Sequence, residues 1–506
     1  MGALEGLWLG LTVALSPVNL AYCFLGVVLG TAVGVLPGLG PAAAIALLLP
    51  ATYAMPPTAA IIMLAGIYYG AMYGGSTTSI LMNVPGEAAS VVTCIDGYQM
   101  ARQGRAGAAL GMSAFASFIA GTFGVLGLML IGPPLARFAL RFGPPEYFAL
   151  TVVGLTLVSY LGGTSMLKGL SMAALGLLVG SVGIDPISGY QRFTYGLLTL
   201  SEGISFVPVA MGLFGVGEVL ASTGEPAKRE ILKTRLSGLL PTRDDWARAG
   251  GPLARGSLLG FLIGTLPGGG AIIASFASYA VEKRVSRHPE KFGTGAIEGV
   301  AGPEAANNSA ATGAFIPLFT LGLPSNAATA MIFAALLLHG LRPGPLLFTE
   351  SPALIWGVIA SMYIGNVMLL VLNLPLIGLF VQMLRVPYPI LAPLIILFCL
   401  VGAYSVNNSL VDVWILIGFG ILGYFIRRLH FDAAPLILAL ILGPIMENSL
   451  RQSLMASRGD FSVFFARPIS AALLVLAFVL VLLPALRWAV ALWARQVAEG
   501  IRPVVP

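Results

Sequence analysis

The chain has 506 residues, of which 57% are hydrophobic and only 9% are charged, and its 27 Lys and Arg against 21 Asp and Glu leave a net charge of +6. A soluble globular protein carries about 25% charged residues, so a chain this long with so few cannot cover a surface that faces water. The mean hydropathy of +0.92 extends over the whole length, which excludes a soluble enzyme held by a single anchor.

Apolar segments recur along the whole chain and set the predicted elements. In chain order they are 7–35, 41–80 in two pieces, 106–132, 147–162, 165–184, 195–221, 255–281 in two pieces, 306–341 in two pieces, 352–384, 386–404, 410–427, 431–446 and 468–494. At about 20 residues per crossing, they predict an all-α polytopic membrane protein with about 10–12 transmembrane helices.

One strongly polar interval, residues 223–255, interrupts this pattern near the middle of the chain and is rich in Lys and Arg. By the positive-inside rule it is predicted to be a cytoplasmic linker with amphipathic character. It separates a first repeat half (1–222) from a second repeat half (256–467), and a C-terminal transmembrane helix and tail (468–506) follow.

Glycine and proline are unusually frequent, with 63 and 34 residues. Together they make up about a fifth of the chain, against a usual ~12%. Lipid penalises interrupted backbone unless that backbone is buried in protein or lines a cavity. Interrupted helices are therefore expected to belong to the functional part of the protein.

An internal repeat supports this expectation. The segment Gly34–Gly40 reads GVLPGLG, and Gly264–Gly270, 230 residues later, reads GTLPGGG; each follows glycines at four-residue spacing. Each copy is followed by a small polar cluster and then by a second break. These elements are Gly74–Thr78 and Asn83–Ala89 in the first half, and Asn307–Ser309 and Leu323–Ala328 in the second.

The charges around the two copies predict their topology. The second copy lies between Arg255 and Glu282, which are too close for two full spans but suit a re-entrant hairpin with its tip at 266–270 and both feet in the cytoplasm. No cation occurs between Met1 and Arg102, so the hairpin with its tip at 36–41 is expected to have periplasmic feet. The halves are then inverted repeats, as in elevator-like secondary transporters.

The breaks predict an anion site. Proline ends a helix and glycine allows the chain to reverse, so each break exposes free N–H groups and a helix N-terminus, which carries roughly half a positive charge. Such ends bind carboxylates. The residues predicted to bind substrate are Pro37, Gly38, Gly40, Ser76, Thr77, Thr78, Pro85, Gly86, Pro267, Gly268, Gly269, Gly270, Asn307, Asn308, Pro324, Ser325 and Asn326.

The hydroxyl and amide groups of the polar clusters suit carboxylate oxygens or a dehydrated sodium ion, although helix-to-helix hydrogen bonding is an equally good explanation for each residue alone. Glu298 and Glu304 are candidates for sodium or proton coupling, because an ionisable group within a span is a functional candidate by default. A location of both at the cytoplasmic end of their helix, near Lys291, is the alternative.

Other functional classes lack their signals in the sequence. We find no nucleophile–base grouping, no metal-ligand cluster and no nucleotide-binding motif, so neither catalytic residues nor a cofactor is predicted, apart from Na⁺ as a coupling ion. The cations lie mostly at span ends, which indicates topology rather than binding of nucleic acid.

Long motifs resemble the large membrane subunit of the tripartite tricarboxylate transporters, the TctA family. In the first half they are GxxxGxLPGLGP at 30–41, YGxxYGGSTTSILMNVPGE at 69–87 and TCIDGYQMARQGRAGAAL at 93–110. In the second half they are GxxxGTLPGGG at 260–270, KFGTGAIEGVAGPEAANNSA at 291–310 and FIPLFTLGLPSNAATA at 315–330. The family usually continues AxNAA where this chain reads Asn307-Asn308-Ser309-Ala310, a mild departure.

The resemblance implies a permease in the bacterial inner membrane that imports citrate or related carboxylates with a sodium or proton gradient. It also implies two partners, a small membrane subunit of about four helices and a periplasmic protein that delivers the substrate. An ion channel or a non-transporting membrane scaffold is the alternative that the residues leave open.

Overall fold

The structure of the protein, a computed structural model, describes residues 2–36, 40–161, 165–222, 238–268, 270–383 and 388–482. Three residues predicted to bind substrate, Pro37, Gly38 and Gly269, lie outside these ranges, as do much of the predicted linker and most of the predicted C-terminal segment.

Helices form nearly all of the described chain, and many begin with proline, whose missing N–H has no partner to lose in a first turn. The helices of the first half are α1 (Ala3–Ala14), α2 (Pro17–Val35), α3 (Pro41–Leu48), α4 (Pro57–Met82), α5 (Val91–Arg102), α6 (Ala106–Ala139), α7 (Pro144–Leu161), α8 (Met166–Gly180), α9 (Phe206–Ala210) and α10 (Gly217–Ser222), with a π-helical turn at Met211–Val216. Two short strands, β1 (Gly183–Ile184) and β2 (Gln191–Arg192), pair antiparallel.

The second half continues with helices of similar length. They are α11 (Arg243–Gly264), α12 (Gly270–Val285), α13 (Glu298–Gly313), α14 (Phe315–Leu321), α15 (Ala327–Leu338), α16 (Leu347–Glu350), α17 (Pro352–Asn373), α18 (Ile377–Met383), α19 (Tyr388–Asn407), α20 (Leu410–Arg428), α21 (Ala434–Ala456), α22 (Val463–Ala466) and α23 (Pro468–Leu482). Because α11 begins at Arg243, the last part of the predicted linker is helical.

Seven of the described helices are long and apolar enough to cross a membrane, namely α2, α4, α6, α17, α19, α20 and α21. Five shorter apolar helices accompany them, namely α1, α8, the continuous α9–α10 helix, α15 and α23. At the centre lies α4, which is buried over the whole of 59–82. These features confirm the predicted class, an all-α polytopic membrane protein.

Two helix pairs repeat one packing geometry. Glycines at four-residue spacing let α2 approach α4 and let α11 approach α13 so closely that any added Cβ would lie 2.2–2.6 Å from a carbonyl oxygen of the partner helix. The contacts are Gly26 with Met63, Gly30 with Ile67, Gly34 with Ala71, Gly256 with Gly302, Gly260 with Ala306, and Gly264 with Ala310. Because contacts advance in the same direction on both helices, each pair is parallel.

This packing sets the register of the repeat. Met63 on α4 corresponds to Gly302 on α13, a separation of 239 residues rather than the 230 between the Pro-Gly tips. The separation between equivalent residues is larger after the hairpins because α12, the second helix of the second hairpin, is longer than its counterpart α3 in the first. The clusters Gly74–Thr78 and Asn307–Ser309, which we paired by their order along the chain, are therefore not at equivalent positions: in the structural register, Asn307 corresponds to Tyr68, and Ser76 to Phe315.

The second hairpin is closed at its feet by an ion pair. Arg255 on α11 donates from Nε to Oε1 of Glu282 at 2.9 Å and from Nη2 to Oε2 at 2.5 Å. The two residues that bound the hairpin in the sequence thus meet in space, and α12 runs back along α11. The cytoplasmic location of these feet, and the opposite orientation of the first hairpin, remain predictions.

Asp96 on α5 connects the two halves. Its Oδ1 accepts backbone N–H bonds from Gly293, Gly295 and Ala296 at 2.8–2.9 Å, and its Oδ2 accepts from the Tyr279 hydroxyl at 2.9 Å. A carboxylate with four donors holds the loop that leads into α13 in place, so this acidic residue has a structural role.

A second connection between the halves lies where the β-hairpin meets the later part of α21. Hydrogen bonds from Ser188 and Arg451 hold the pKa of Asp185 well below its usual range. The carboxylate is therefore charged at neutral pH and pairs with Arg192 and Arg451, both at 2.7–2.8 Å.

Candidate functional site

A cavity of about 640 Å³ lies where the two hairpins and the two later breaks meet. The described residues that line it are 40–43, 85–89, 268, 270–273, 325–328, Tyr68, Met72, Val158, Phe214, Glu218, Arg427, Asp432, Ala434 and Leu438. Its size is within the usual range of sites for small molecules.

Helix N-termini converge on this cavity. The first turns of α3, α12 and α15 line it, and so does the short 3₁₀ turn Ala88–Ser90 that precedes α5. The first N–H groups of a helix have no partner within the helix, and the helix dipole adds roughly half a positive charge at this end. The backbone alone therefore favours an anion in the cavity.

The two later breaks have the same cap. Helix α4 ends at Asn83 and α14 ends at Gly322, both in the left-handed conformation. Four residues later, Glu87 accepts the N–H of Ala89 at 2.8 Å, and Asn326 accepts the N–H of Thr329 at 3.0 Å. Both caps thus use a side chain at the equivalent position, although Glu87 accepts from the second residue beyond it and Asn326 from the third.

Hydroxyl groups complete both caps. The N–H of Glu87 donates to Ser90 Oγ at 3.4 Å, and the N–H of Asn326 donates to Thr329 Oγ1 at 3.0 Å. Ser90 and Thr329 also keep the 239-residue offset.

The later break of the second half, which contains Ser325 and Asn326, is hydrogen-bonded to the second hairpin tip and to α4. The N–H of Gly268 donates to the carbonyl of Ser325 at 2.8 Å, and Asn326 Nδ2 donates to the Tyr68 hydroxyl at 2.9 Å. Gly268 has φ +77°, and a Cβ there would lie 2.6 Å from Cα of Val158. Glycine is therefore required at this tip by both conformation and space.

Two buried oxygens at the cavity lack hydrogen-bond partners within the described ranges. They are Glu87 Oε1 and Ser325 Oγ, and both residues are at least nine-tenths buried. A buried polar atom without a partner costs free energy, so native proteins rarely retain one without a ligand or a water molecule. Both atoms are available to a bound substrate or ion.

Sequence reasoning missed four acidic or basic side chains of the cavity: Glu87, Glu218, Arg427 and Asp432. Arg427 forms an ion pair with Glu218, and Asp432 follows in the loop before α21. We had interpreted cations at span ends as topology signals. The location of Arg427 within the apolar segment 410–427 was the signal that could have identified it, because ionisable residues within spans are functional candidates.

The structure brings only some of the predicted substrate-binding residues together. Gly40, Pro85, Gly86, Gly268, Gly270, Ser325 and Asn326 line the cavity. Pro267 and Pro324 adjoin it in sequence without lining it. Ser76, Thr77, Thr78, Asn307 and Asn308 do not line it, since they lie buried within α4 and α13.

The members of the two polar clusters bond instead to Glu304 and to other helices. Ser76 donates to Glu304 Oε2 at 2.7 Å, Asn307 Nδ2 donates to the same oxygen at 3.3 Å, and Thr93 donates to Oε1. Glu304 is fully buried and has no ion-pair partner among the described residues. A buried carboxyl group without an ion-pair partner either keeps its proton or, once ionised, needs a bound cation.

Glu298 has a different environment. Arg248 on α11 binds it through Nε at 3.0 Å and through Nη2 at 2.8 Å. This bidentate pair ties the start of α13 to α11, and Glu298 does not line the cavity.

Comparison with known proteins identifies the family. The family model of the tripartite tricarboxylate transporter TctA family matches residues 20–438. An Agrobacterium vitis protein, described as an uncharacterized 52.8 kDa protein in the TAR-I ttuC' 3' region, is 52% identical over 490 residues, which are 96% of this chain and 98% of that protein. A second from the same organism, in the TAR-II ttuC' 3' region, is 54% identical over 231 residues, 45% of this chain and 96% of its own length.

No solved structure matches the chain. The family match covers most of the described helices and all of the described residues that line the cavity. The chain therefore belongs to the tripartite tricarboxylate transporter TctA family and is a multi-pass membrane protein of a transport system.

Proposed function

We propose that this protein is the permease subunit that imports tricarboxylates or related carboxylates through a bacterial inner membrane. A periplasmic binding protein delivers the substrate, a small membrane subunit of about four helices completes the complex, and a sodium or proton gradient drives uptake. The observation that supports this proposal most directly is the convergence of helix N-termini from both repeat halves on one cavity.

The substrate occupies that cavity between the hairpins and the later breaks. Carboxylate oxygens accept bonds from the first turns of α3, α12 and α15, where the first backbone N–H groups have no partner within the helix. The hydroxyl of Ser325 adds a side-chain donor. Pro37, Gly38 and Gly269 belong to the same tips by sequence, and we assign them to the site on that basis.

Glu304 is the better of the two candidates for ion coupling. It is buried among hydroxyl and amide groups contributed by α4, α5 and α13, so uptake or loss of a cation there affects contacts between the halves. Glu298 already has a bidentate cationic partner, which gives it a structural explanation.

Transport follows alternating access, in which the part of the protein that carries the substrate site moves relative to the rest. The parallel pairs α2–α4 and α11–α13 are the rigid units of this motion, because their backbones are in direct contact along three glycines each.

Reconstitution of the permease with both partners in proteoliposomes tests the proposal. Citrate, succinate and acetate are supplied with sodium and pH gradients imposed separately. We expect accumulation of a multivalent carboxylate above its external concentration, and collapse of that accumulation when the driving gradient is removed. Uptake that only equilibrates indicates a channel, and no uptake under any gradient indicates a scaffold.

The matched variants Glu304→Gln and Glu298→Gln test the coupling assignment in the same assay. We expect Glu304→Gln to abolish uphill uptake while substrate exchange persists, whereas Glu298→Gln lowers stability and leaves coupling intact. Loss of coupling in Glu298→Gln alone would reverse the assignment.

A further inference from the structure

Arg427 is the one basic side chain among the described residues that line the cavity. It lies in the last turn of α20, and three carboxyl groups, those of Glu87, Glu218 and Asp432, line the same cavity. A polyanionic substrate that enters this space meets three carboxyl groups and a single guanidinium. The single guanidinium therefore has a disproportionate effect on where the substrate binds.

Close helix packing places Arg427 there. Glycines allow α20 to run along the helix that contains α10, and a Cβ on Gly217 would lie 3.0 Å from Cα of Gly423. Glu218 directly follows Gly217, Arg427 lies one turn beyond Gly423, and the two side chains form the ion pair. The position of the guanidinium is thus determined by backbone contact and not by the ion pair alone.

The ion pair leaves much of the guanidinium free. Its recorded contact with Glu218 uses Nη2, and the side chain is 38% exposed, whereas that of Glu218 is 14% exposed. A guanidinium has five N–H donors in a planar fork that suits two oxygens of one carboxylate. Glu218 itself shows that a carboxylate fits at this position.

We propose that Arg427 binds one carboxylate group of the substrate and thereby selects substrates that have more than one. This inference rests on the proposed function. One carboxylate lies at the helix N-termini, and a second reaches Arg427, which exchanges its bond to Glu218 for the bond to the substrate. A monocarboxylate makes only the first of these contacts.

The neighbouring Arg428 provides a matched control. It has the same charge and lies on the same helix turn, but it donates to the Tyr424 hydroxyl at 2.7 Å, is exposed, and does not line the cavity. A general effect of positive charge at this end of α20 would appear equally in variants of both arginines.

The test measures binding of citrate, succinate and acetate to the purified full-length chain, and their uptake in proteoliposomes with both partners. We expect Arg427→Ala to weaken citrate and succinate binding by about 10- to 100-fold, the range for loss of a charged hydrogen-bonded pair. Acetate binding is expected to change by less than about threefold. Arg428→Ala is expected to bind all three like the wild type.

Variants of the partner carboxylate separate binding from a structural role. Glu218→Gln removes the internal competitor, so we expect citrate binding to be retained or tightened. If the ion pair only holds α10 against α20, Glu218→Gln and Arg427→Ala lose binding equally, and the reversed pair Glu218→Arg with Arg427→Glu restores it. That result would overturn the proposal.

The double variant Glu218→Gln with Arg427→Gln keeps the test valid if Arg427→Ala fails to fold, because it removes both charges of the ion pair together. We expect it to fold and to bind citrate as weakly as Arg427→Ala; wild-type citrate binding would refute the role of Arg427. Failure of the wild type to bind or transport any carboxylate would instead refute the proposed function.

Discussion

The two later breaks, Asn83–Ser90 and Gly322–Thr329, have the same backbone design but different chemistry. In both, a left-handed residue ends one helix and a side chain four residues later caps the next. At that capping position the first break has Glu87, an acid with one unpartnered buried oxygen, and the second has Asn326, whose amide bonds to Tyr68. The repeat thus gives the two breaks the same backbone conformation, and a single side chain in each makes them electrostatically unequal.

The largest expected effect comes from disrupting the close packing of the helix pairs α2–α4 and α11–α13. Gly30→Leu and Gly260→Leu each place a side chain where a Cβ would lie 2.6 or 2.2 Å from a backbone oxygen of the partner helix. We expect each to destabilise the protein by about 3 kcal/mol or more, since backbone contacts cannot yield as side chains do. Thermal unfolding of the purified variants measures this.

Gly250→Leu is the control for Gly260→Leu, because Gly250 lies on the same helix with open space around it. It is expected to behave like the wild type. A stable Gly30→Leu beside an unstable Gly260→Leu would show that the two pairs are not equivalent.

The second effect distinguishes the two hairpin tips. Gly40 has an extended backbone and open space where a Cβ would be, whereas Gly268 has φ +77° and contacts Val158. We expect Gly40→Val to reduce uptake more than tenfold at normal stability, because it narrows the cavity without strain. Gly268→Val is expected to lose stability as well, by about 1–3 kcal/mol.

Uptake and melting temperature, measured on the same preparations, check this prediction. Gly418→Val is the control, since Gly418 also has open space but lies on α20 away from the cavity lining. Normal uptake by Gly40→Val would remove the first tip from the site.

The third largest effect is expected from substitutions that exchange the acid and amide groups of the two capping side chains, Glu87 and Asn326. Glu87→Gln keeps an oxygen for the Ala89 N–H, so we expect stability to change by less than about 0.5 kcal/mol while uptake falls severalfold. Asn326→Asp also keeps its cap, but it loses the amide donor to Tyr68, which costs about 1 kcal/mol. Equal uptake by Glu87→Gln and the wild type would show that the free oxygen of Glu87 plays no part in transport.

The smallest effect concerns the link between the second break and α4. Tyr68→Phe leaves Asn326 Nδ2 without its acceptor, and we expect a loss of about 1 kcal/mol with a modest fall in uptake. Tyr53→Phe is the control, because Tyr53 is 68% exposed. Indistinguishable chemical unfolding of the two variants would show that the link contributes nothing to stability.

Several features of the site followed from local residue properties. Pro-Gly pairs end helices wherever they occur, so the breaks and the helix N-termini after them were predictable without knowledge of the fold. Arg255 and Glu282 bounded a segment too short for two spans, and this length restriction predicted the hairpin that their ion pair closes. The family resemblance depended on contiguous motifs and needed no tertiary information.

Other features depended on packing between distant segments. The polar clusters Ser76–Thr78 and Asn307–Ser309 appeared equivalent by order along the chain, yet the close contacts of the glycines set a different register. Glu298 and Glu304 are six residues apart with similar surroundings in sequence, and only their neighbours, Arg248 in one case and Ser76 in the other, distinguish them.

The sequence by itself determined the membrane class, the repeat and the location of the helix breaks, because apolar content and the backbone properties of proline and glycine act locally. Only the tertiary structure decided which of these residues face one cavity, and it added Arg427, Glu218 and Asp432 to them. Glu218 lies more than 200 residues before Arg427 and Asp432, and its meeting with Arg427 results from glycine contacts between helices that no local pattern specifies.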